Sequence, residues 1–600
     1  MENKGAEGLR NGLAVRAVVS AAAVLSISGL IKIYGLYDRI YFNKGVISAA
    51  VFILSIITTG KVADNWRRRR RIASAALLVS FLLTFTEILG TGLRLSANVG
   101  NVNTGLPSIL WMVGSAVFLS PLAEPFFFWL FEKGEIVPVT YQGERKKQLN
   151  QIFLMTWLIV FLCYIPCFLA FYPGLYCYDM IWQWAMFDSG IYNTHHPLVH
   201  TLFSGGLLEL GKRLMGSYNG GLAIHSLVQL GIMSGSIAFA IRYMVKIGLS
   251  RKFLVAALAF YIFYPFFPVL GISTTKDTVF GSLFLLFFVC ACDMVTNRYF
   301  YRGYRLVLFI ALSIVMGIFR NNAMYGLCFT ALCFISVSGI LVFFGKKNKF
   351  LFQWGILFLV LSIGIQGSFA VLKKGLGAEK GSAAEMLSIP CQQLARTYVY
   401  HSDELSQVDK DELELFITRD AMERYKYYVS DPVKAGLDMT WLENHKKEFM
   451  RLWFRIGRQF PGEYMLAPIY NTMGIWYMGG DSSCYAEYRM SQPFDENHVV
   501  ETHSVLPSLK AGYSWFTDEN IQRSLPAVSI LFYTSFYAWL AFICTVALTA
   551  RKQYRYLVLS MILFGYIISL IPGPCMIVRY MLGIILCMPV MTGITFYRGK

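Results

Sequence analysis

The sequence predicts an all-α, polytopic membrane protein, and two features of its composition support that fold class. Hydrophobic side chains make up 56% of the 600 residues and charged ones only 15%, whereas charged residues supply about a quarter of an ordinary soluble chain. The apolar residues also form runs that are long enough, as helices, to cross a hydrocarbon core about 30 Å thick. A cytosolic globular enzyme is therefore excluded.

Hydropathy predicts a helical bundle of about 14 spans. Four spans within residues 1–150 precede a membrane core at 151–372, and three spans follow at 526–600. A polar segment, 373–525, separates the last two groups. The predicted spans are 14–33, 45–61, 72–92, 107–131, 151–171, 220–242, 253–271, 278–296, 305–319, 323–344, 350–372, 527–549, 555–572 and 577–597.

The distribution of lysine and arginine predicts the orientation of these spans. One further apolar stretch, Pro197 to Met215, is short and interrupted by glycines, and a crossing there would put basic clusters on both sides of the membrane. If it lies along the interface, about 28 of the 54 basic residues share one side, as the positive-inside tendency requires. We therefore expect cytoplasmic termini and one large outer loop, 172–219, that contains interfacial helices.

The segment 373–525 is predicted to be a mostly helical extracytoplasmic domain. Its acidic residues outnumber its basic ones, as on an ordinary soluble surface. Asp409 to Tyr428 is rich in helix-forming residues, and apolar residues near helical spacing predict a second helix that ends at Pro461-Gly462. Those apolar residues are Trp441, Phe449, Leu452, Trp453, Ile456 and Phe460.

The formal charge of +18 does not indicate a nucleic-acid partner. Basic residues at the cytoplasmic face orient spans and contact anionic lipids, while the predicted outer domain is mildly acidic. The partners expected from the charge pattern are therefore membrane lipids, with no nucleic acid.

Polar residues concentrate in the predicted outer loop after the fifth span. Pro173-Gly174 ends that span with a turn, and Asp179 and Gln183 lie four residues apart on one face of a short helix. His195 and His196 follow in the same loop. Asp179 is either a catalytic carboxylate or an interfacial acid that caps a helix. The histidines either bind a ligand or form a solvated turn.

Three other outward corners carry polar residues between apolar spans. An arginine there suits a phosphate, because a guanidinium offers forked donors and keeps its charge. The alternatives are that the arginines extend to lipid headgroups and that the lysine pairs with the adjacent aspartate. These corner residues are Lys276 and Asp277, Arg320 and Asn321, and Arg579 and Tyr580.

Three acidic residues fall within predicted spans, where a charge costs roughly 2.5–3.5 kcal/mol on insertion scales. Asp293 is near a cytoplasmic end and is expected to reach water. Glu87 and Glu124 are candidates for a polar path among the first four spans.

In their order along the chain, these motifs resemble those of the GT-C superfamily of membrane glycosyltransferases. They resemble more closely a largely uncharacterised family of GT-C-like proteins from Gram-positive bacteria. The resemblance covers roughly residues 150–600. The motifs that carry it are Tyr172-Pro173-Gly174 with Asp179, Gln183 and His195-His196-Pro197, then Thr275-Lys276-Asp277, Arg320-Asn321-Asn322, Ser388 to Arg396, and Arg579-Tyr580.

The resemblance implies a GT-C-like bundle that transfers a sugar from a polyprenyl-phosphate carrier to a glycan, lipid or protein of the cell envelope. The reaction would occur at the outer face of the bacterial plasma membrane. By position, Asp179 would be the general base for the acceptor hydroxyl. The positions implied to bind substrate, including the cations that would stabilise the departing phosphate, are Gln183, His195, His196, Lys276, Asp277, Arg320, Asn321, Arg396, Arg579 and Tyr580.

The outer loop departs from some GT-C members, because it lacks their Asp-x-Asp pair and Asp179 stands alone until Asp188. A divalent cation, Mg²⁺ or Mn²⁺, would have Asp179 and His196 as its implied ligands. A mechanism without a metal is at least as compatible with the loop.

Two other functions are compatible with the sequence. A transporter or flippase of a lipid-linked glycan would use the acidic residues within the spans, since a carrier needs polar contacts at mid-membrane. A scaffold for envelope assembly would bind glycan through aromatic residues of the outer domain. Those aromatic residues are Trp441, Trp453, Trp476 and Trp515.

Overall fold

A computed structural model describes most of the chain, and nearly all of that part is helical. The described residues contain isolated β-bridges but no β-strand. The prediction of an all-α fold is therefore confirmed. The described residues are 2–36, 42, 45–99, 105–132, 144–177, 179–346, 348–479, 500–518, 525 and 528–596.

Eight described helices are long and apolar enough to cross a membrane. The bent pair Leu106–Leu122 and Glu124–Glu132, which meet at 53°, makes a ninth if it forms one broken span. The chain is thus a polytopic membrane protein, but the predicted count of fourteen spans is not confirmed. The eight helices are Gly12–Ile33, Val46–Ala97, Lys146–Ala170, Tyr218–Lys246, Lys276–Asn297, Asn321–Phe343, Lys349–Gly375 and Val578–Phe596.

The second and third predicted spans correspond to two helices that meet at a kink within the segment Val46–Val99. Arg69 interrupts its regular backbone, with φ −148° and ψ 75°. The run Arg67 to Arg71 therefore lies at the kink that joins the two helices. Hydropathy separated two spans there because five consecutive arginines interrupt the apolar sequence.

The described chain divides into two compact units. The N-terminal unit comprises Met1–Glu135 with Trp476–Asp481 and Phe542–Tyr554, and the main unit contains the rest. In the N-terminal unit, Leu30, Ile88, Met112 and Ala116 form a buried apolar cluster. Its α-helices are Glu2–Ile33, Val46–Val99, Leu106–Leu119 and Glu124–Glu132, with a 3-10 turn at Ser120–Leu122.

The two acidic residues of that unit that suggested a polar path each have a local partner. The Glu87 carboxylate accepts a hydrogen bond from the Met478 amide at 3.0 Å. The Glu124 carboxylate, which is fully buried, accepts one from the Asn65 side chain at 3.0 Å. Each side chain is therefore held by a neighbour within its own unit.

The membrane part of the main unit is built from helices of very different lengths. Several are too short to count as spans, among them Tyr304–Phe319 with 16 residues and Arg251–Phe263 with 13. The other helices of this part are Glu144–Ala170, Met180–Ser189, Leu198–Met215, Tyr218–Lys246, Phe266–Gly271, Lys276–Asn297, Asn321–Phe343, Lys349–Gly375, Leu557–Leu570 and Val578–Phe596. A further helix, Thr534–Ala550, belongs to the main unit as far as Ala541.

The predicted outer domain is helical, as expected, but its helices are shorter than predicted. The first predicted helix, 409–428, is broken because Ile417 turns into the core and forms an antiparallel bridge with Leu437. Phe449, Leu452 and Ile456 are buried as expected. The helices are Ser388–His401, Gln407–Glu414, Arg419–Glu423, Asp431–Lys434, Met439–Asn444, Lys446–Gln459, Pro461–Asn471, Met473–Trp476 and Pro507–Asp518.

Pro461 begins a helix as well as following one. It is the first residue of Pro461–Asn471, where its missing amide proton costs no helical hydrogen bond. The predicted second helix also breaks at His445, between Met439–Asn444 and Lys446–Gln459.

Helix Leu198–Met215 forms a hairpin with helix Tyr218–Lys246. Gly216, at φ 72°, ends the first helix, and the Ser217 side chain caps the second by accepting from the Gly220 amide. The helices then pack closely enough that a Cβ on Gly211 would lie 2.1 Å from the Gly221 Cα. Leu198–Met215 is not among the helices apolar enough to span, and its placement along the interface stays a prediction.

We expect Gly211→Ala to destabilise the protein, because the obstructing atoms belong to a backbone that cannot move aside. Overpacking of this kind costs about 1–3 kcal/mol, which should lower the thermal unfolding midpoint of the purified protein. Gly206→Ala is the matched control, since its Cβ would enter open space on the same helix. Its higher helix propensity should leave the midpoint unchanged or raised. Equal midpoints for the two variants would contradict the packing of the hairpin.

Candidate functional site

A close contact between two loops sets the position of the predicted outer acid. After helix Glu144–Ala170 the chain turns at Gly174, which has φ 138° and leaves no room for a Cβ beside the Ser226 hydroxyl. The turn lets Leu175 pair with Ser273 in a parallel bridge. Leu175 N donates to Ile272 O at 2.9 Å. The two loops therefore run side by side, and Asp179 emerges next to the start of helix Lys276–Asn297.

The threonines of the second loop hold both segments in place. The Thr274 hydroxyl accepts from the Cys177 amide at 2.9 Å. Thr275 caps helix Lys276–Asn297, and its hydroxyl donates to the Asp277 carboxylate at 3.0 Å. The start of that helix, which carries Lys276 and Asp277, is thus fixed by the loop that precedes it.

Five charged residues from four predicted outer corners meet at this point, and we call them the charged cluster. Lys276 Nζ lies 2.6 Å from Asp179 Oδ2. Asp277, with 1% of its side chain exposed, pairs with Arg320 and lies 3.6 Å from Arg579 Nε. The lysine thus pairs with the distant Asp179 and not with its neighbour in sequence.

The two arginines are buried, so they do not extend to lipid headgroups. Arg320 is 5% exposed and Arg579 is 8% exposed. The Tyr580 ring contacts both guanidinium groups, at 4.7 Å from Arg320 and 5.0 Å from Arg579. The negative face of the ring favours cations. Tyr580 and Asp277 together therefore offset the repulsion between two like charges.

Asp179 is the partly open member of the cluster, with 34% of its side chain exposed. Burial raises the pKa of the Asp179 carboxyl, but the positive charges of Lys276 and Arg579 and the hydrogen bond from Lys276 lower this pKa by more. Its pKa is therefore held well below the usual range. The side chain is a carboxylate at any physiological pH and faces the outside of the cluster.

His196 is a neutral neighbour of that carboxylate. Burial lowers the pKa of His196 to about 4, and Lys276 acts in the same direction. Its Nδ1 lies 3.6 Å from Asp179 Oδ2 and has no hydrogen-bond partner. His195 is exposed and packs its ring edge-on against that of His196, 4.5 Å between centroids. A buried polar atom without a partner beside a carboxylate is suited to a ligand.

Gln183 does not join Asp179 in the cluster, although the two share a helix turn. Its side-chain oxygen lies 3.0 Å from His200 Nδ1. Ser204 connects His200 to His225, at 3.3 and 3.1 Å. Gln229 continues the chain and donates to the Ser273 carbonyl at 2.7 Å. We call these five side chains the buried polar chain.

The buried polar chain joins the helix that follows Asp179 to the loop that precedes Lys276. All five side chains are at most 1% exposed, so each hydrogen bond is made away from bulk water. Sequence analysis missed four of its members. A signal was present, since Ser204 follows His200, and Gln229 follows His225, by one helical turn within apolar helices.

Arg396 and Asn321 also lie outside the charged cluster. Arg396 belongs to the outer domain, where it pairs with Glu463 at 2.5 Å and lies over the rings of Tyr400 and Tyr470. Its forked donors are thus used within that domain. Asn321 begins helix Asn321–Phe343 directly after Arg320, and its side-chain oxygen is buried without a hydrogen-bond partner.

The predicted outer domain is attached to two of the loops that form the site. Glu379 exchanges backbone hydrogen bonds with Tyr192 and Thr194, at 2.9 and 3.0 Å, just before His196. The Ser430 amide donates to Pro574 O at 2.9 Å, just before Arg579. The domain therefore contacts both of these loops.

The described residues do not make a metal centre around Asp179. No group of three or more His, Cys, Asp or Glu side chains in the described part of the chain is placed to hold a metal ion. Asp179 and His196 offer two ligands, and the Lys276 ammonium contacts the carboxylate oxygen that a cation would need. The arrangement does not fit a tightly held Mg²⁺ or Mn²⁺.

We expect Asp277→Asn to be strongly destabilising, because it leaves two buried guanidinium groups without a counter-charge. Breaking a buried ion pair by removing one partner costs about 3–5 kcal/mol. The free energy of unfolding or the thermal midpoint measures this loss. Asp188→Asn removes an exposed carboxylate and should leave the midpoint unchanged. A folded Asp277→Asn protein with the wild-type midpoint would contradict the pairing.

Comparison with known proteins places this chain in a family. The family model of DUF6020, a family of unknown function, matches residues 188–600. The match includes the two histidines and the corners that supply Lys276, Arg320 and Arg579, and it begins after Asp179. No curated protein and no solved structure matches the chain. Since the family model covers more than half of its length, the chain belongs to DUF6020.

Proposed function

We propose that the chain is a membrane glycosyltransferase of GT-C-like architecture. It moves a sugar from a polyprenyl-phosphate donor to a glycan, lipid or protein acceptor at the outer face of the bacterial plasma membrane. Both termini are cytoplasmic in this arrangement. The observation that supports it is the charged cluster, in which a partly open carboxylate lies among three cations.

The three cations of the charged cluster are suited to stabilising the phosphate that leaves in that reaction. When the bond between the anomeric carbon and the phosphate oxygen breaks, the polyprenyl phosphate gains a negative charge. Lys276, 20% exposed, is the cation that a phosphate reaches first. Arg320 and Arg579 lie behind it and contribute their field from a buried position, where charges are weakly screened.

The Asp179 carboxylate is suited to accept the proton of the acceptor hydroxyl. As the acceptor oxygen bonds to the anomeric carbon, its proton passes to Asp179, which must be ionised beforehand. Contact with Lys276 keeps the pKa of Asp179 low and so makes it a weak base. A donor phosphate competes for the same ammonium group. Binding of the donor therefore loosens the ion pair and raises the basicity of Asp179 when it is needed.

Transport of a lipid-linked glycan is supported less well. A carrier needs polar groups along its path, and the predicted acids within the spans are each occupied locally. Asp293 pairs with Lys246 at 2.6 Å and accepts from Tyr299 at 3.0 Å. The charged cluster, by contrast, gathers at one end of the helices that supply it.

The contacts of two outer-domain tryptophans, Trp441 and Trp453, give little support to the scaffold function. Trp453 donates its indole proton to Gln393 at 2.9 Å, and Trp441 stacks on His445 with ring centroids 3.7 Å apart. Both side chains are engaged within the domain.

The proposal is tested by incubating the purified protein with polyprenyl-phosphate sugars and a cell-envelope extract. We expect wild type to release the carrier phosphate and Asp179→Asn to release it about 10²–10⁴-fold more slowly, as when a general base is lost. Asp188→Asn is the matched control, since it removes an exposed carboxylate of the same loop.

Two results would contradict the proposal. Normal turnover by Asp179→Asn would rule out this residue as the base. Inactivity of folded wild-type protein across a broad panel of donors would favour transport.

A further inference from the structure

A second charged feature lies at the opposite end of the helix that carries Lys276. Helix Lys276–Asn297 has 22 residues and is therefore roughly 33 Å long, about the thickness of a hydrocarbon core. Where it ends, residues 298–302 and Arg305 line a cavity of about 830 Å³ together with Phe350 and Gln353. We call this cavity the arginine pocket.

Three arginines line the arginine pocket, and no carboxylate does. Arg298, Arg302 and Arg305 are all exposed, and none forms an ion pair with any residue that the structure describes. The nearest acid in sequence, Asp293, is already bound by Lys246. The pocket therefore concentrates three positive charges with no counter-charge.

The loop that presents these arginines is fixed in shape. Arg298 ends the preceding helix in the left-handed conformation, at φ 57°, and Gly303 has φ 55° before helix Tyr304–Phe319. The hydroxyl groups of Tyr299 and Tyr301 both donate to the Asp293 carboxylate, at 3.0 and 3.2 Å. The backbone between the arginines is thus tied to the end of the helix before any ligand arrives.

Orienting the membrane spans would not require arginines on a loop of fixed shape. The positive-inside tendency needs positive charge near a span, in any conformation. Forked guanidinium donors that converge on a pocket are suited to an oxyanion with several acceptor oxygens. The apolar wall at Phe350 adds room for a ligand with an apolar part.

We propose that the arginine pocket binds a phosphate-bearing anion. Its source is either the headgroup phosphodiester of an anionic lipid in the adjacent leaflet or free phosphate. This site is separate from the charged cluster, and the inference does not depend on the proposed glycosyl transfer.

The test measures lipid retention on the full-length protein in detergent by native mass spectrometry. Dioleoyl phosphatidylglycerol is the anionic probe, and dioleoyl phosphatidylcholine, which has no net charge, is the reference. We expect wild type to hold the anionic lipid roughly tenfold more tightly than the zwitterionic one. Arg302→Gln/Arg305→Gln should abolish this preference, since each arginine near a lipid surface contributes a several-fold factor.

The matched control is Arg67→Gln/Arg70→Gln, which removes the same charge from exposed arginines elsewhere. It should keep the preference for the anionic lipid. Two results would overturn the proposal. One is an equal loss of the preference for the anionic lipid in both double variants. The other is a wild-type protein that neither prefers the anionic lipid nor binds phosphate. All four arginines are exposed, so the variants should keep the wild-type thermal midpoint, which verifies that they fold.

Inorganic phosphate distinguishes the two sources. Displacement of the anionic lipid from the wild-type protein by millimolar phosphate would identify a site for a soluble anion. Retention of the lipid at the same concentration would identify the lipid headgroup as the ligand.

Discussion

The burial of Asp277 between two arginines is the interaction on which the site depends. Arg320 and Arg579 begin two other helices, and neither guanidinium would be stable in an apolar setting without a counter-charge. The shared carboxylate therefore holds the starts of three helices together. It also directs the adjacent Lys276 away from its neighbour and toward Asp179. The ion pair between Lys276 and Asp179, which a substrate can reach, is thus built on the buried contact of Asp277 with two arginines, which a substrate cannot reach.

This division gives the two aspartates different roles. Asp277 is enclosed and neutralises permanent charges, whereas Asp179 is open enough to meet a substrate. The buried polar chain holds the loop before Lys276, and the predicted outer domain contacts the loops before His196 and Arg579. Small displacements at a reacting centre are costly, so rigid loops around a single exchangeable ion pair are consistent with catalysis. The arginine pocket, at the far end of the same helix, belongs to a different surface.

Much of the site was predictable from the sequence, because charged residues between apolar runs mark corners and the lysine and arginine distribution assigns corners to a side. That reasoning brought Asp179, Lys276, Arg320 and Arg579 to one face. It did not predict which cation pairs with which acid, since those contacts span about 40 to 300 residues and depend on packing. It also grouped Arg396 with the substrate-binding positions, whereas the structure pairs Arg396 with Glu463 away from the charged cluster. The count of fourteen spans is not confirmed, because several predicted spans correspond to helices shorter than 18 residues, such as Tyr304–Phe319.

The central claim is that the charged cluster binds the phosphate of a lipid carrier, and direct binding tests it without knowledge of the sugar or the acceptor. The measurement is the dissociation constant of a short-chain polyprenyl phosphate for wild type and for Lys276→Met, which keeps the length of the side chain but removes its charge. We predict at least about tenfold weaker binding by the variant, the effect expected when one charge-assisted hydrogen bond is lost. Equal affinity in two proteins with the same thermal midpoint would contradict the claim.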